Sequence, residues 1–447
     1  MSRDPAPAPP QLGAFDIGCI VVGGIIGVGI FFTPAKVAAA VDTPALMIAA
    51  WGVGAVLAII GALVFAGLSR LAPGHGGTFV YIAKGFGPLP AFLYGWANWL
   101  VIQAGALAVV GMVMVDYLEQ AVFGGPVLGA AARVAVAVVA IAALTLTNAA
   151  GLRVGKRVQN ALTVAKVGAL LVLVAIALAA AAAGVAPVEP PAPREPRGPW
   201  VSLGAAMLPV LFSFGGWQQG SFVAGAARRP ERDVPLGIVF GVLVVAASYL
   251  AVNLAFLSIL GHEGAAQSST IAEEATRRAL DAFGIGDVAG RLLSAAVVVS
   301  AVGIMNTICL APPFVLHAMA REGLFFAAVG RLHPIAGVPV LGVLTQGFWG
   351  AALLVGAHVA LPEPQAALGF VLDGIVFVDW VFYGGCGLAL FVLAKERARD
   401  RVIGAAFALG AVAVALGAVL TKTAPSAVGL GLCALGLPLY FVLRRRR

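Results

Sequence analysis

The sequence predicts an all-α polytopic membrane protein with twelve transmembrane helices. Hydrophobic residues make up 61% of the 447 residues, charged residues only 11%, and the mean hydropathy is +1.00. Soluble domains carry about 25% charged residues, so this composition argues against a soluble fold. In addition, the chain divides into apolar runs of the ~20 residues that a spanning helix needs, with little left for a soluble domain.

Each apolar run lies between charged residues or Pro and Gly breaks and is interpreted as one spanning helix. The predicted spans are 14–40, 44–68, 91–121, 128–148, 158–184, 202–227, 235–260, 288–320, 337–358, 367–393, 402–420 and 425–443. The predicted fold therefore has an even number of helices, which puts both ends of the chain on one side of the membrane.

The segments outside the spans are short. Residues 1–13 are predicted to be a disordered cytoplasmic tail, because their Pro/Ala-rich start lacks the apolar core of a signal peptide. The Pro-rich segment 187–199 cannot form a helix and marks the midpoint of the chain. Segment 270–283 has apolar residues at i, i+4 spacing and predicts an amphipathic surface helix, either a lid or an ordinary loop helix. Residues 444–447 form a basic tail.

The basic residues lie mainly in the loops and predict the orientation of the chain. With the N-terminus inside, nineteen of the 28 Lys and Arg residues fall on the inner side and eight on the outer side. By the positive-inside rule, both termini are then cytoplasmic. The basic clusters are thus topology signals, and no nucleic-acid partner is predicted despite the net charge of +8.

The first span contains a stretch too rich in glycine to cross a membrane as an unbroken helix. Within 22–31 (VGGIIGVGIF), four glycines fall within seven residues, and each costs about 1 kcal/mol relative to Ala in a helix. Unwound backbone at this depth is tolerated only where protein or a water-filled cavity satisfies its polar groups. The stretch therefore predicts either a binding site or close packing of two helices through small residues.

A second break lies in the sixth span, where glycines and polar residues in 212–220 (FSFGGWQQG) interrupt the apolar run. First and sixth helices broken at the same relative place are typical of an inverted repeat of five helices each, with the substrate between the broken helices. The transport core 14–393 then consists of repeat one (about 14–184) and repeat two (about 202–393). The two C-terminal helices in 402–443 complete the twelve.

The two breaks together indicate a zwitterionic ligand. Free N–H groups at the start of a half-helix, with the positive end of its dipole, suit a carboxylate. Unwound carbonyls and the negative ends of half-helices suit an ammonium group. A site that offers both at close range recognises a free α-amino acid.

Lys166 is a charged residue inside the otherwise apolar fifth span. Such a charge costs several kcal/mol and indicates a functional site. The functional interpretation is that its ammonium takes the place of a sodium ion and ties the fifth helix to carbonyls of the broken first helix. The alternative is a lysine that extends to the membrane interface.

No enzyme, cofactor or metal site is predicted. The sequence has no P-loop, HExxH motif or Ser/His/Asp context, and its histidines at 75 and 333 lie in loops between Gly and Pro. All four cysteines fall inside apolar spans without paired spacing, so neither a disulfide framework nor a zinc site is indicated.

The two breaks and their surroundings resemble the amino acid–polyamine–organocation superfamily, and within it bacterial homologues of L-type amino-acid transporters. The resemblance covers nearly the whole chain and rests on several motifs together. These are VGGIIGVGIFFTP (22–34), LAPGHGGTFVYIAKGFGPLPAFLYGW (71–96), RVQNALTVAKVGAL (157–170), FSFGGWQQGSFV (212–223), RPERDVPLGI (229–238) and AREGLFFAAVGRLHPIAGVPV (320–340).

The resemblance implies a leucine-transporter-type fold and roles for individual residues. The substrate carboxylate would meet the backbone of Gly27, Val28 and Gly29, and its ammonium would meet carbonyls at Ile25 and in the second break. The second break would contribute Phe212 as a gate, Ser213, Phe214 and Gly215, and Ser300 would face Lys166. The family usually has Ser at position 28 and two acidic residues at 225 and 226, where this chain has Val, Gly and Ala.

The sequence therefore predicts a sodium-independent exchanger of neutral L-amino acids in a bacterial inner membrane, surrounded by lipid. The expected pocket of Ile25, Val28, Phe212, Phe214 and Trp217 is apolar and has no acidic residue. A disulfide-linked heavy subunit is not expected, because the cysteines lie in the spans. Proton-coupled symport, an amine or polyamine substrate, and a non-transporting sensor are the alternatives.

Overall fold

The computed structural model describes residues 11–185, 198–268, 270–281, 284–360, 364–421 and 423–445. Side chains are described in these ranges except at 364–369, 371–373, 421 and 445. Most of the predicted N-terminal tail, nearly all of the Pro-rich segment 187–199 and the last two arginines of the basic tail lie outside the described residues. Within the described ranges the regular structure is helical, and the extended pairing consists of an isolated bridge between Leu12 and Ala227.

The described part of the chain contains twenty α-helical segments, most of which fall within the twelve predicted spans. In chain order they are α1 (Ala14–Ile25), α2 (Thr33–Ala40), α3 (Pro44–Leu71), α4 (Thr78–Phe86), α5 (Pro88–Ala97), α6 (Ala104–Phe123), α7 (Ala130–Ala149), α8 (Leu152–Ala182), α9 (Pro199–Phe214), α10 (Gln219–Phe222), α11 (Pro230–Gln267), α12 (Ile271–Asp281), α13 (Gly286–Leu310), α14 (Pro313–Arg321), α15 (Ala327–Gly330), α16 (Val340–Ala360), α17 (Pro364–Leu393), α18 (Ala398–Thr421), α19 (Thr423–Ala434) and α20 (Gly436–Arg445). In the described part of the chain, eleven segments are long and apolar enough to cross a membrane, and the shorter apolar α1 is an additional one. The prediction of an all-α polytopic membrane protein is confirmed.

Proline and threonine define where several of the spanning helices begin. Pro44 stands in the first turn of α3, and the hydroxyl of Thr43 accepts a hydrogen bond of 3.2 Å from the amide of Leu46. Proline is favoured there because its missing N–H would have no partner in the first turn. Between α5 and α6, residues Asn98–Gln103 form a π-helical turn, a geometry that often marks functional sites.

The predicted amphipathic helix is present as α12. Its apolar face is buried, including Ile271, Ala275 and Ala279, and it packs on α13, α8 and α11. The periodicity in the sequence placed this helix correctly, because its charged residues occupy the opposite face.

One end of the bundle is fastened by the N-terminal residues. The amides of Gln11 and Leu12 donate to the carbonyl of Ala226 at 2.9 and 3.0 Å, and the amide of Arg228 donates to the carbonyl of Leu12 at 2.8 Å. Nearby, the Lys156 ammonium lies 2.9 Å from a carboxylate oxygen of Asp16. The start of α1 is therefore tied both to α8 and to the connection between α10 and α11.

Small residues allow α17 and α18 to approach backbone to backbone. A Cβ atom at Gly387 of α17 would lie 2.8 Å from the carbonyl oxygen of Gly404 in α18, and one at Gly404 would lie 2.6 Å from the carbonyl oxygen of Gly387. Close approach through glycine is a common way to pack helices in membranes, where water does not drive them together.

Gly387→Ala is expected to destabilise the protein by about 1–3 kcal/mol, because the methyl group would force the two backbones apart. Thermal unfolding of the detergent-solubilised protein measures the effect. Gly385→Ala is the matched control on the same helix, since nothing lies within 4 Å of its Cβ position. Equal melting temperatures for the two variants would contradict this account of the α17–α18 contact.

Candidate functional site

The first predicted break is present and lies between α1 and α2. After Ile25 the chain leaves the helix, and it resumes with a short 3-10 turn at Gly29–Phe31 before α2. In the described part of the chain, the backbone amides of Gly27 and Val28 donate no hydrogen bond. Such a pair of free amides at the start of a helical segment is suited to an anion.

The second break separates α9 from α10 and touches the first. Gly216 has φ of +127°, and a Cβ atom there would clash with the backbone carbonyl of Gly24. Both the left-handed conformation and the close contact require glycine at this position. The two unwound stretches are thus in direct backbone contact at the centre of the bundle.

A tyrosine that sequence reasoning missed links the two breaks. The hydroxyl of Tyr249 in α11 lies 3.0 Å from the carbonyl oxygen of Ile25 and 3.2 Å from that of Ser213, and it donates to these acceptors. The ring is fully buried and packs edge-on against Trp51. In the sequence, Tyr249 looks like an ordinary aromatic residue in an apolar run, so no local signal distinguishes it.

Lys166 reaches the first break from α8. Its ammonium group donates to the carbonyl oxygens of Ile26 at 2.6 Å, Gly23 at 3.2 Å and Ser300 at 3.3 Å. Only 1% of the residue is exposed. The side chain therefore ends at the break, and the alternative of a lysine that extends to the membrane interface does not describe this geometry.

Ser300 in α13 completes the contacts to the break. Its hydroxyl donates to the carbonyl oxygen of Gly27 at 3.1 Å, and its own carbonyl oxygen accepts from Lys166. The expected proximity of Lys166 and Ser300 is thus present, although the two side chains meet through main-chain carbonyls. Free carbonyls would otherwise be costly in an apolar interior.

A cavity of about 980 Å³, including space that opens towards solvent, lies beside the two breaks. Seven of the eight predicted substrate-binding residues border it, namely Ile25, Gly27, Val28, Gly29, Phe212, Ser213 and Gly215. The remaining walls come mainly from α6, α13 and α17 and are largely apolar. A concave, mostly apolar cleft with a few polar groups is typical of small-molecule sites.

Phe214 and Trp217 do not border the cavity, in contrast to the expected pocket. The Phe214 ring packs against Trp51 and Tyr249, with ring centroids 5.9 and 5.2 Å away. Trp217 packs against Tyr383 at 5.1 Å. The side chains of both aromatic residues are fully buried and belong to the core beside the cavity.

The expectation of a pocket without an acidic residue is also wrong, because Asp379 of α17 borders the cavity together with Gln103. The signal was in the sequence, since a carboxylate inside a predicted span (367–393) indicates a functional site in the same way as Lys166. Its place at the cavity could not be read from the sequence, because the direction of a side chain around a buried helix depends on its neighbours.

Comparisons with known proteins agree with this architecture. The model of the amino acid permease family matches residues 12–433. The b(0,+)-type amino acid transporter 1 of Oryctolagus cuniculus is 27% identical over 395 residues, which cover 87% of this chain and 76% of the relative. The serine/threonine exchanger SteT of Bacillus subtilis is 25% identical over 454 residues, which cover 98% and 97% of the two chains.

A third relative is the human cystine/glutamate transporter, which is 26% identical over 332 residues that cover 73% of this chain and 65% of the relative. All three relatives are transporters or exchangers, and none is an enzyme. A family match over almost the whole chain includes both breaks, the lysine and the cavity. The chain therefore belongs to the amino acid permease family of the amino acid–polyamine–organocation superfamily and is an amino acid transporter.

Proposed function

We propose that this protein is a sodium-independent exchanger that moves neutral L-amino acids by alternating access. The observation that carries the proposal is the Lys166 ammonium on three carbonyl oxygens at the first break. A sodium ion would be bound by a similar set of oxygen ligands. A fixed positive charge on the same carbonyls removes the need for that ion, so transport would not depend on a sodium gradient.

The open amides of Gly27 and Val28 support binding of the substrate carboxylate at the first break. The ammonium group would meet backbone carbonyls at Ile25 and at the end of α9, which have a second lone pair besides the one that Tyr249 uses. Phe212 borders the cavity, and its ring centroid lies 6.3 Å from that of Phe32. These two rings are suited to close over a bound substrate as a gate.

The apolar part of the cavity supports amino acids with uncharged side chains as the main substrates. Its aliphatic wall includes Val109, Val110 and Val113 of α6 and Ile304 of α13. Leucine-like or smaller side chains would lie against this wall. The relatives named for exchange of serine and threonine or for cystine and glutamate support amino acids as the substrates.

The predicted repeats indicate which parts of the protein move during transport. We infer that repeat one (14–184) and repeat two (202–393) rock around the two breaks, with the helices in 402–443 outside the moving core. A bacterial inner membrane and cytoplasmic termini remain the proposed location and orientation. All four cysteines are buried and free, which supports transport without a disulfide-linked heavy subunit.

Purified protein in proteoliposomes is expected to take up labelled neutral L-amino acids only when unlabelled amino acid is present inside. Uptake should be the same in sodium and in choline buffers, because Lys166 occupies the carbonyls that a sodium ion would use. Net uptake into empty vesicles driven by a pH gradient would contradict exchange and favour proton-coupled symport.

Lys166→Ala is expected to lower the rate of exchange by at least about tenfold, since it leaves carbonyls of the break without a donor, each worth about 1–3 kcal/mol. Lys166→Met keeps the length of the side chain and should behave the same way. Lys84→Ala, which removes an exposed lysine, serves as the control. Unchanged kinetics in both Lys166 variants would refute the proposed role of the ammonium.

Val28→Ser is expected to lower the KM for amino acids by about two- to tenfold, because a hydroxyl beside the open amides adds one hydrogen bond to the carboxylate. Val139→Ser, at an exposed valine of α7 that does not border the cavity, is the control. The measurement is concentration-dependent exchange in proteoliposomes. A KM that stays the same or rises in Val28→Ser, with normal expression, would argue against carboxylate binding at this break.

A further inference from the structure

The carboxylate of Asp379 borders the cavity from within a membrane-spanning segment. Asp379 lies in α17, in the stretch Gly374–Leu393 whose composition is that of a transmembrane helix. In the described part of the chain, neither a hydrogen bond nor an ion pair reaches this carboxylate. A charged group in such a place costs several kcal/mol unless a partner compensates it.

Lys166, the positively charged residue at the first break, is not that partner. Its ammonium is bound to the carbonyls of Gly23, Ile26 and Ser300. Gln103 borders the same cavity, but its side-chain amide donates to Asn98 at 3.0 Å, and Tyr94 donates to the same oxygen at 3.3 Å. The side chains of Gln103, Asn98 and Tyr94 are thus bonded to one another and not to Asp379.

A neutral carboxyl group would need an acceptor for its O–H, and in the described part of the chain no hydrogen bond runs from Asp379 to an acceptor. Among the described residues, the hydroxyl of Tyr383, one turn further along α17, is itself buried without a hydrogen-bond partner. Both residues border the cavity, and so does Trp380 between them. A carboxylate flanked by two aromatic residues at a cavity wall is a chemical environment that suits an organic cation.

We propose that Asp379 binds the cationic end of a substrate side chain, so that the transported class includes L-amino acids with a terminal ammonium or guanidinium group. This inference rests on the proposed function, in which the α-carboxylate and α-ammonium groups occupy the two breaks. The apolar wall of α6 and α13 then contacts the methylene groups. Asp379 and the aromatic residues of α17 receive the charge at the end of the chain.

Competition between L-lysine and L-norleucine for exchange of labelled L-leucine tests the proposal, because the two differ only in the terminal ammonium group. In the wild-type protein, lysine should inhibit within about threefold of norleucine. Asp379→Asn should weaken inhibition by lysine at least about tenfold, since a buried charge pair is broken. Inhibition by norleucine should change by less than about threefold, which also verifies that the variant is folded.

Asp287→Asn removes an exposed carboxylate from the first turn of α13 and serves as the control for net charge. Asp379→Glu should retain inhibition by lysine. The proposal is overturned if wild-type protein excludes lysine, if Asp379→Asn leaves lysine unaffected, or if the variant loses lysine and norleucine equally.

Two further measurements distinguish a cationic amino acid from other cations that Asp379 could bind. Equal inhibition by lysine and by 1,5-diaminopentane, which lacks the carboxylate, would overturn an amino-acid ligand and favour an amine. Stimulation by sodium that disappears in Asp379→Asn would assign the carboxylate to an inorganic ion. If the wild-type protein does not exchange leucine, the proposed exchanger function itself is wrong, and this result is distinct from those that test Asp379.

Discussion

The unsatisfied backbone of the first break is the constraint on which the rest of the centre depends. Four glycines release carbonyls that have no intrahelical partner, and an apolar bundle has no water to offer them. Three neighbouring helices supply the donors. Lys166 from α8, Ser300 from α13 and Tyr249 from α11 each send one side chain to these oxygens. These hydrogen bonds therefore help to fix the positions of α8, α11 and α13 relative to α1.

At the first break, the described residues provide hydrogen-bond partners for backbone carbonyls but not for two of the amides. This difference determines which ligand groups the site can bind. The protein provides partners for the carbonyls of Gly23, Ile25, Ile26 and Gly27. The amides of Gly27 and Val28, two residues that border the cavity, donate no hydrogen bond in the described part of the chain. What remains available at the first break is mainly hydrogen-bond donors, and a carboxylate is the natural ligand for donors.

Much of this architecture could be predicted from the sequence, because hydropathy and glycine content act over short stretches. The spans, both breaks, the amphipathic α12 and the buried Lys166 were all visible in this way. The direction of individual side chains was not. Phe214 and Trp217 were expected in the pocket and lie in the core, while Asp379 and Tyr249 were missed, since their roles arise from contacts between helices far apart in the chain.

The contacts of the N-terminal residues determine how strongly this end of the helix bundle is held together. They include three backbone hydrogen bonds around Leu12, a hydrogen bond from Lys156 to the carbonyl of Gln11, one from Asn160 to the carboxylate of Asp16, and the ion pair between Lys156 and Asp16. Each such hydrogen bond contributes about 0.5–1.5 kcal/mol net. Any movement of α1 away from α8 has to break the contacts of Asp16 and Gln11 together, so their combined free energy adds to the barrier for such a movement.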